Sequence, residues 1–409
     1  MKYASAALLA LLLVLSLPAM TVVATNPSDV GGETANYSAN TERIASGLVD
    51  VEETTNRLVL DGESRSGYAS TGPDLGTVLA TTDDELRTDH DRFDLDREFE
   101  GMTADERAAA IDATYDRISQ RIDALEQRER VAVSQHANGE LTDVELQIVL
   151  VRNYHEAGTL QDVLGELNEY AHVVPDYSIS DSVRVDRGTL DIYRSPVRAQ
   201  LADATEATGG SESVDSTLQT TETGFVLSMV DDGTYVREAV RFDNRDTARP
   251  DQFGSNTNAF EYVADELYPW AFNVSTTSGS SQYADPQLYR IHATHTHGEL
   301  GVYLDGGTGD VYREIQTLTV AGLPSTPMDQ SWTNGTLELS INQTPVDGPV
   351  EVTVTDVETG EPVEATIEAD EYVVGETRDG TLWLLPPASE YEITATAGDE
   401  SVTAPISGE

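Results

Sequence analysis

Past Lys2 the sequence contains no lysine, and acidic side chains run through every segment of its 409 residues. With 73 Asp plus Glu against 24 Lys plus Arg, the formal net charge is −49. A compact domain with this charge must hold most of its carboxylates on a hydrated surface. In dilute buffer this charge density repels itself. At about 1 M salt the Debye length falls to about 3 Å, and short carboxylates can hold a hydrated surface. The composition therefore predicts a protein that folds near saturating salt, as in an extreme halophile such as a haloarchaeon. Nucleic acid is excluded as a partner, because nothing here would neutralise phosphates. Hydrophobic residues at 39% are enough for packed domains, and the length predicts two or three of them.

The N-terminus orders a basic residue, an apolar run from Ala4 to Leu17, then Pro18 and small residues up to Ala24. That is the arrangement of a secretory signal over residues 1–24, cleaved after Ala24, with an uncleaved anchor as the alternative reading. No later apolar run is long enough to span a bilayer, so no membrane span is expected after cleavage. The absence of cysteine excludes a lipobox, disulfides and thiolate metal sites. Export would give meaning to four Asn-x-Ser/Thr acceptors for glycosylation, at Asn36, Asn273, Asn334 and Asn342. The last two are expected to lie on an exposed linker.

Residues 37–173 read as a helical region. Thr103 with Glu106 forms a capping box, and Ile111, Tyr115, Ile118, Ile122 and Leu125 follow at heptad spacing. Asn138-Gly139 stops this helix. Thr142 caps a second, whose face carries Val144, Ile148, Val151, Leu160, Val163, Leu164 and Leu167. The pair predicts an antiparallel helical hairpin that needs a partner helix, from this chain or another, to bury its stripes. Before it, 41–60 reads as a weaker amphipathic helix and 61–74 as a loop. Asp89, Asp91, Asp94 and Asp96 lack the glycine and closing glutamate of a calcium loop, so they read as a solvated helix face.

Residues 176–323 change period. Residues 182–195 alternate as a strand pair, and Pro196 opens a short helix. Asp232-Gly233 marks a hairpin, residues 256–271 a helix, and three strands follow. This predicts an α+β domain, an antiparallel sheet with a helix on one face. Residues 335–409 show short alternating strands with turns every 8–12 positions, predicting a small β-sandwich whose core Trp383 and Leu385 help to fill. The expected fold class is thus multidomain α and β: helical hairpin region, α+β sheet domain, C-terminal sandwich.

Three of the seven histidines, His292, His295 and His297, fall within six positions. A His-x-His on a strand puts two imidazoles on one face, a spacing zinc enzymes use with a third ligand from elsewhere. Strand parity assigns His295 and His297 to one face and His292 to the other, and Gly298 reads as the start of a turn. Set against this metal site is a polar sheet face, where the acidic surroundings would favour imidazolium. No H-E-x-x-H, G-x-S-x-G or phosphate-binding loop occurs, and no cofactor is implied.

The last domain, through "VTDVETGEPVEATI" and "GETRDGTLWLLPPASEYEITATA", resembles the carboxypeptidase-regulatory-like, or transthyretin-like, sandwich family, which implies a structural or adhesive appendage. The hairpin "GVYLDGGTGDVYREI" is similar to that of PepSY-like domains, which implies a peptidase-associated or inhibitor-like role. The overall layout resembles uncharacterised secreted haloarchaeal proteins with a helical N-terminal region and a β-rich tail, for which no activity carries over. The function expected is non-enzymatic contact with a protein partner at the cell surface or envelope, with the PepSY-like role and a metal-dependent hydrolase using His295 and His297 as alternatives.

Overall fold

The computed structural model describes residues 47–206, 213–282, 287–328, 330–346, 348–370, 372–386 and 390–406. The signal segment and Asn36 lie outside the described residues.

The two long helices form as their caps dictate. Helix α2 (Ala104–Ala137) and helix α3 (Asp143–His172) each begin with a complete capping box, Thr103 with Glu106 and Thr142 with Glu145. The connection turns at Gly139, whose φ of 78° suits glycine. The heptad seam closes internally. Ile111, Ile118, Ile122 and Leu125 bury against Leu160, Leu164 and Leu167. Val144 stays exposed, and Leu146 and Leu150 take the inward positions instead. Helix α1 (Leu75–Glu98) precedes this pair, with Asp74 accepting from the Thr77 N–H as its N-cap. It carries the aspartate run on a helix, as expected. The side chains of Asp91, Asp94 and Asp96 lie outside what is described.

Three local readings are corrected. The segment after Ile179 is helix α4 (Ser180–Asp191), not a strand pair. Val183 and Leu190 are buried along one helical face, and the alternation seen in so short a stretch is compatible with either period. The expected weak helix is, over its described part, a hairpin of β1 (Leu48–Val49) and β2 (Arg57–Leu58). The expected loop contains strand β3 (Arg65–Thr71). Both depend on distant partners: the Leu58 N–H donates to Glu314 at 2.9 Å, and β3 pairs along its length with residues 214–220.

After helix α5 (Pro196–Glu206), opened by its proline as expected, the sheet strands are β4 (Val214–Thr221), β5 (Gly224–Asp231) and β6 (Thr234–Arg241). Helix α6 (Asn256–Tyr262), a π-turn and helix α7 (Pro269–Asn273) intervene. Then come β7 (Thr277–Gln282), β8 (Leu288–His295), β9 (Gly298–Asp305) and β10 (Val311–Thr319). All pair antiparallel in the order β3-β4-β5-β6-β10-β9-β8-β7. Helices cover both faces, not one. On the first face Leu218, Leu227, Val236 and Val240 pack against Val133, Leu146, Leu150 and Leu201. On the second, Ile291, Leu300 and Val302 pack against Ala259, Val263, Leu267 and Ala271.

The sandwich consists of β11 (Thr326–Pro327), β12 (Trp332–Asn334), β13 (Leu337–Gln343), β14 (Val350–Asp356) and β17 (Thr381–Leu384) in one sheet. The other contains β15 (Thr366–Ala369), β16 (Tyr372–Glu376), β18 (Tyr391–Ala397) and β19 (Glu400–Ile406). Leu339, Val352 and Val354 meet Ile367, Ile393 and Val402 in its core. Trp383 and Leu385 do not fill that core. They join Tyr235, Leu318, Val320 and Leu323 at the contact with the sheet domain. Arg57 reinforces the contact, with Nη1 donating to the Val346 carbonyl at 2.8 Å. Asn334 and Asn342 sit within strands, not on a linker, and their side-chain amides donate to Ser401 O and to Glu351. Asn273 is exposed at the end of α7.

Candidate functional site

The histidine stretch was the first candidate. Strand β8 ends at His295, Thr296 and His297 form the hairpin loop, and Gly298 opens β9 instead of starting a turn. His295 is buried on the second face, whereas His292 is exposed on the other, so that parity holds. His297 lies in the loop. The His297 N–H donates to His295 Nδ1 at 3.3 Å, which makes Nε2 the protonated nitrogen of the neutral ring. That Nε2 is buried and has no acceptor among the described residues. The indole of Trp270 packs edge-on to His295 with centroids 5.3 Å apart and lies 4.6 Å from the His297 ring. Thr54 Oγ1 is 3.1 Å from His297 Nδ1.

Burial followed by the neighbouring His297 pushes His295 down to about 4, and burial also lowers His297. The expectation of imidazolium is therefore overturned: desolvation outweighs the acidic surroundings at this position. A histidine depressed in the fold contributes stability that is present above its unfolded value and lost as pH falls through the folded one. His295→Gln should accordingly flatten the loss of stability between about pH 6.5 and pH 4. By NMR, the His295 ring in the intact protein should still be neutral at pH 5.5; titration near 6.5 would contradict this burial. Among the described residues no group of three or more His, Cys, Asp or Glu side chains could hold a metal ion.

The middle of the sheet holds charge on both faces. On the first, Glu129 of α2, Arg198 of α5, Glu238 of β6 and Arg313 of β10 are fully buried and close a ring of alternating sign. Arg198 bridges Glu129 at 2.7 Å and Glu238 at 2.9 Å; Arg313 bridges the same two at 3.0 and 2.6 Å. Tyr193 lies beneath both guanidiniums. On the second face Arg237 pairs with Glu314, which also accepts from Tyr268 OH at 2.7 Å. Burial raises Glu314 despite Arg237. These groups are buried and act as fold-internal polar networks. Sequence reasoning missed Glu129, although it continues the heptad after Leu125 and marks a charged residue at a core position.

Over its first four turns helix α1 turns a polar row inward, and one heptad after Thr88 the inward position is the buried Leu95. Thr77, Asp84 and Thr88 are buried, while Leu75, Leu79, Leu86 and Phe93 are 72%, 61%, 62% and 51% exposed. The buried polar row is held by arginines from the hairpin. Arg152 of α3 binds both oxygens of Asp84, at 2.7 and 2.8 Å, and Arg121 of α2 donates to Thr88 Oγ1 at 2.6 Å. The outward apolar row has spacings of 4, 7 and 7, one apolar residue per heptad after Leu79, with Thr82 and Asp89 between them.

A helical region, a helix-covered antiparallel sheet and a two-sheet β-sandwich thus define a multidomain archaeal protein, the last term resting on the C-terminal match. The chain belongs to the family of the domain of unknown function DUF7096, whose model matches residues 1–212. Residues 216–324 match a family of unknown function, DUF7094, and residues 328–404 an archaeal fibronectin-III type-like domain. The sandwich expected at the C-terminus is present, and the model that matches it is of fibronectin-III type, not the carboxypeptidase-regulatory-like family. No curated protein matches. Among the described residues no helix is long and apolar enough to cross a membrane.

Proposed function

We propose that this is an exported, non-catalytic interaction protein of a halophilic archaeon, binding a protein partner at the cell surface or envelope. The observation that carries the reading is the outward apolar row of α1, because large apolar side chains repeated along one exposed helix face mark an interaction surface. Tyr372 and Val373 on β16, an edge strand of the sandwich, add a second exposed apolar group. An exported protein also fits the signal-like N-terminus and the acceptor sequences, of which Asn273 and Asn334 are exposed.

The test is in-cell photo-crosslinking of the full chain at native salt, with the crosslinker at position 86 or at position 373. A discrete adduct from either position is expected. A strict monomer with no adduct from either would end the reading. The peptidase-associated alternative predicts instead a protease that co-purifies through the sheet domain and is lost when residues 224–320 are deleted.

A further inference from the structure

Beside the apolar row of α1 lies a cleft of about 510 Å³, lined by Asp84, Leu86, Arg87 and His90 of α1, Arg121, Ala124 and Arg128 of α2, and Arg152 and Glu156 of α3. Four arginines thus meet two carboxylates in a protein whose net charge is −49. Both carboxylates are nearly buried and already clamped. Asp84 is held by Arg152, and Glu156 accepts from Arg121 at 2.8 Å and from Arg128 at 2.6 Å. Arg128 Nη1 is buried and has no acceptor among the described residues. Two exposed acids of α1 are also paired, Asp83 with Arg87 at 2.9 Å and Asp89 with Arg92 at 3.2 Å.

Leu86 belongs to both features, since it lines the cleft and stands in the exposed row. The row from Leu75 to Phe93 runs about 27 Å along the helix, the length of five turns in a partner. A guanidinium fork suits a carboxylate, and an apolar row at heptad spacing suits another helix. We infer that this face of α1 receives an acidic amphipathic helix of a protein partner, whose apolar stripe covers Leu79, Leu86 and Phe93 and whose carboxylate enters the arginine cleft. This rests on the interaction reading above and names its partner class.

The test uses the full chain in about 1 M KCl, where the Debye length is about 3 Å and only charges in contact discriminate. The probe is a fluorescein-labelled helical peptide with leucine at the heptad core positions and glutamate elsewhere, compared with glutamine and lysine versions. Anisotropy should show the glutamate peptide binding most tightly. Arg87→Gln and Arg128→Gln should each weaken it about three- to tenfold while leaving the glutamine peptide unchanged. Leu86→Ser should weaken both peptides, and circular dichroism should show each variant folded. Equal binding of glutamate and lysine peptides, no binding, or indifference to the arginine substitutions would overturn the inference. So would self-association of the chain that the peptide displaces, which would assign the face to a second copy. If the peptide fails while crosslinking from position 86 persists, the acidic-helix assignment falls and the interaction reading stands. Failure of the peptide with no adduct from position 86 or 373 removes both.

Discussion

Arg198→Met should lower the unfolding free energy by about 3–5 kcal/mol, the typical cost of removing one partner from a buried ion pair. Arg198 touches both glutamates of the ring, so its loss leaves Glu129 and Glu238 buried with only Arg313 between them. Burial opposes ionisation of Glu129, but the charges of Arg198 and Arg313 outweigh it and hold the carboxyl below the usual glutamate range. A carboxylate depressed in the fold stabilises above its unfolded value, and that contribution disappears as pH falls through the folded one. The variant should therefore lose stability mainly at neutral pH and converge on the parent in acid. The matching control replaces all four members with Leu or Met of similar volume, which should recover most of the loss. Chemical unfolding at constant high salt measures each case. A loss below 1 kcal/mol for Arg198→Met would show that the ring is not the closed, desolvated network seen here.

Transfer from molar salt to about 0.1 M, where the Debye length reaches about 10 Å, should unfold or expand the protein. The expectation follows from where the two signs of charge reside. Arg57, Arg198, Arg237, Arg241 and Arg313 are buried, whereas carboxylates such as Asp181 and Asp232 are almost wholly exposed. With many of its cations inside, the surface is left with uncompensated carboxylates, and screening is what allows them to sit close together. Circular dichroism across a KCl series should show loss of helix and sheet signal as salt is withdrawn, with recovery when salt is restored. Unchanged spectra and melting temperature at 0.1 M would contradict the salt dependence read from the composition.

Much of the scaffold was legible because its signals are local. Thr103 with Glu106 and Thr142 with Glu145 announce helix starts within four residues, Gly139 ends α2, and Asp232-Gly233 turns β5 into β6. Strands β1–β3 were not legible, because what holds them lies more than 140 residues away: Glu314 and Arg237 for the hairpin, β4 for the edge. The candidate site divides in the same way. The parity of His292 against His295 follows from strand geometry, but the depression of His295 does not, since it needs the bulk of Trp270 and its helix over the ring. Trp383 likewise alternates correctly along its strand, yet which body it packs against depends on how the sandwich meets the sheet.

Helix α1 draws the boundary between the two kinds of information. Composition alone determined the acidic balance and predicts the salt regime, and local pattern determined the long helices, the central hairpin and the sandwich, because charge and period are properties of residues and their neighbours in sequence. Leu75, Leu79, Leu86 and Phe93 form, by pattern, an apolar stripe of the sort that ordinarily faces a core. Only the packed structure shows that stripe facing out and Asp84 and Thr88 facing in, because the arginines that reward the inverted orientation come from α2 and α3, 33 to 68 residues away in sequence. Which face of a helix is inside depends on its neighbours in space, and those neighbours exist only after the chain has folded.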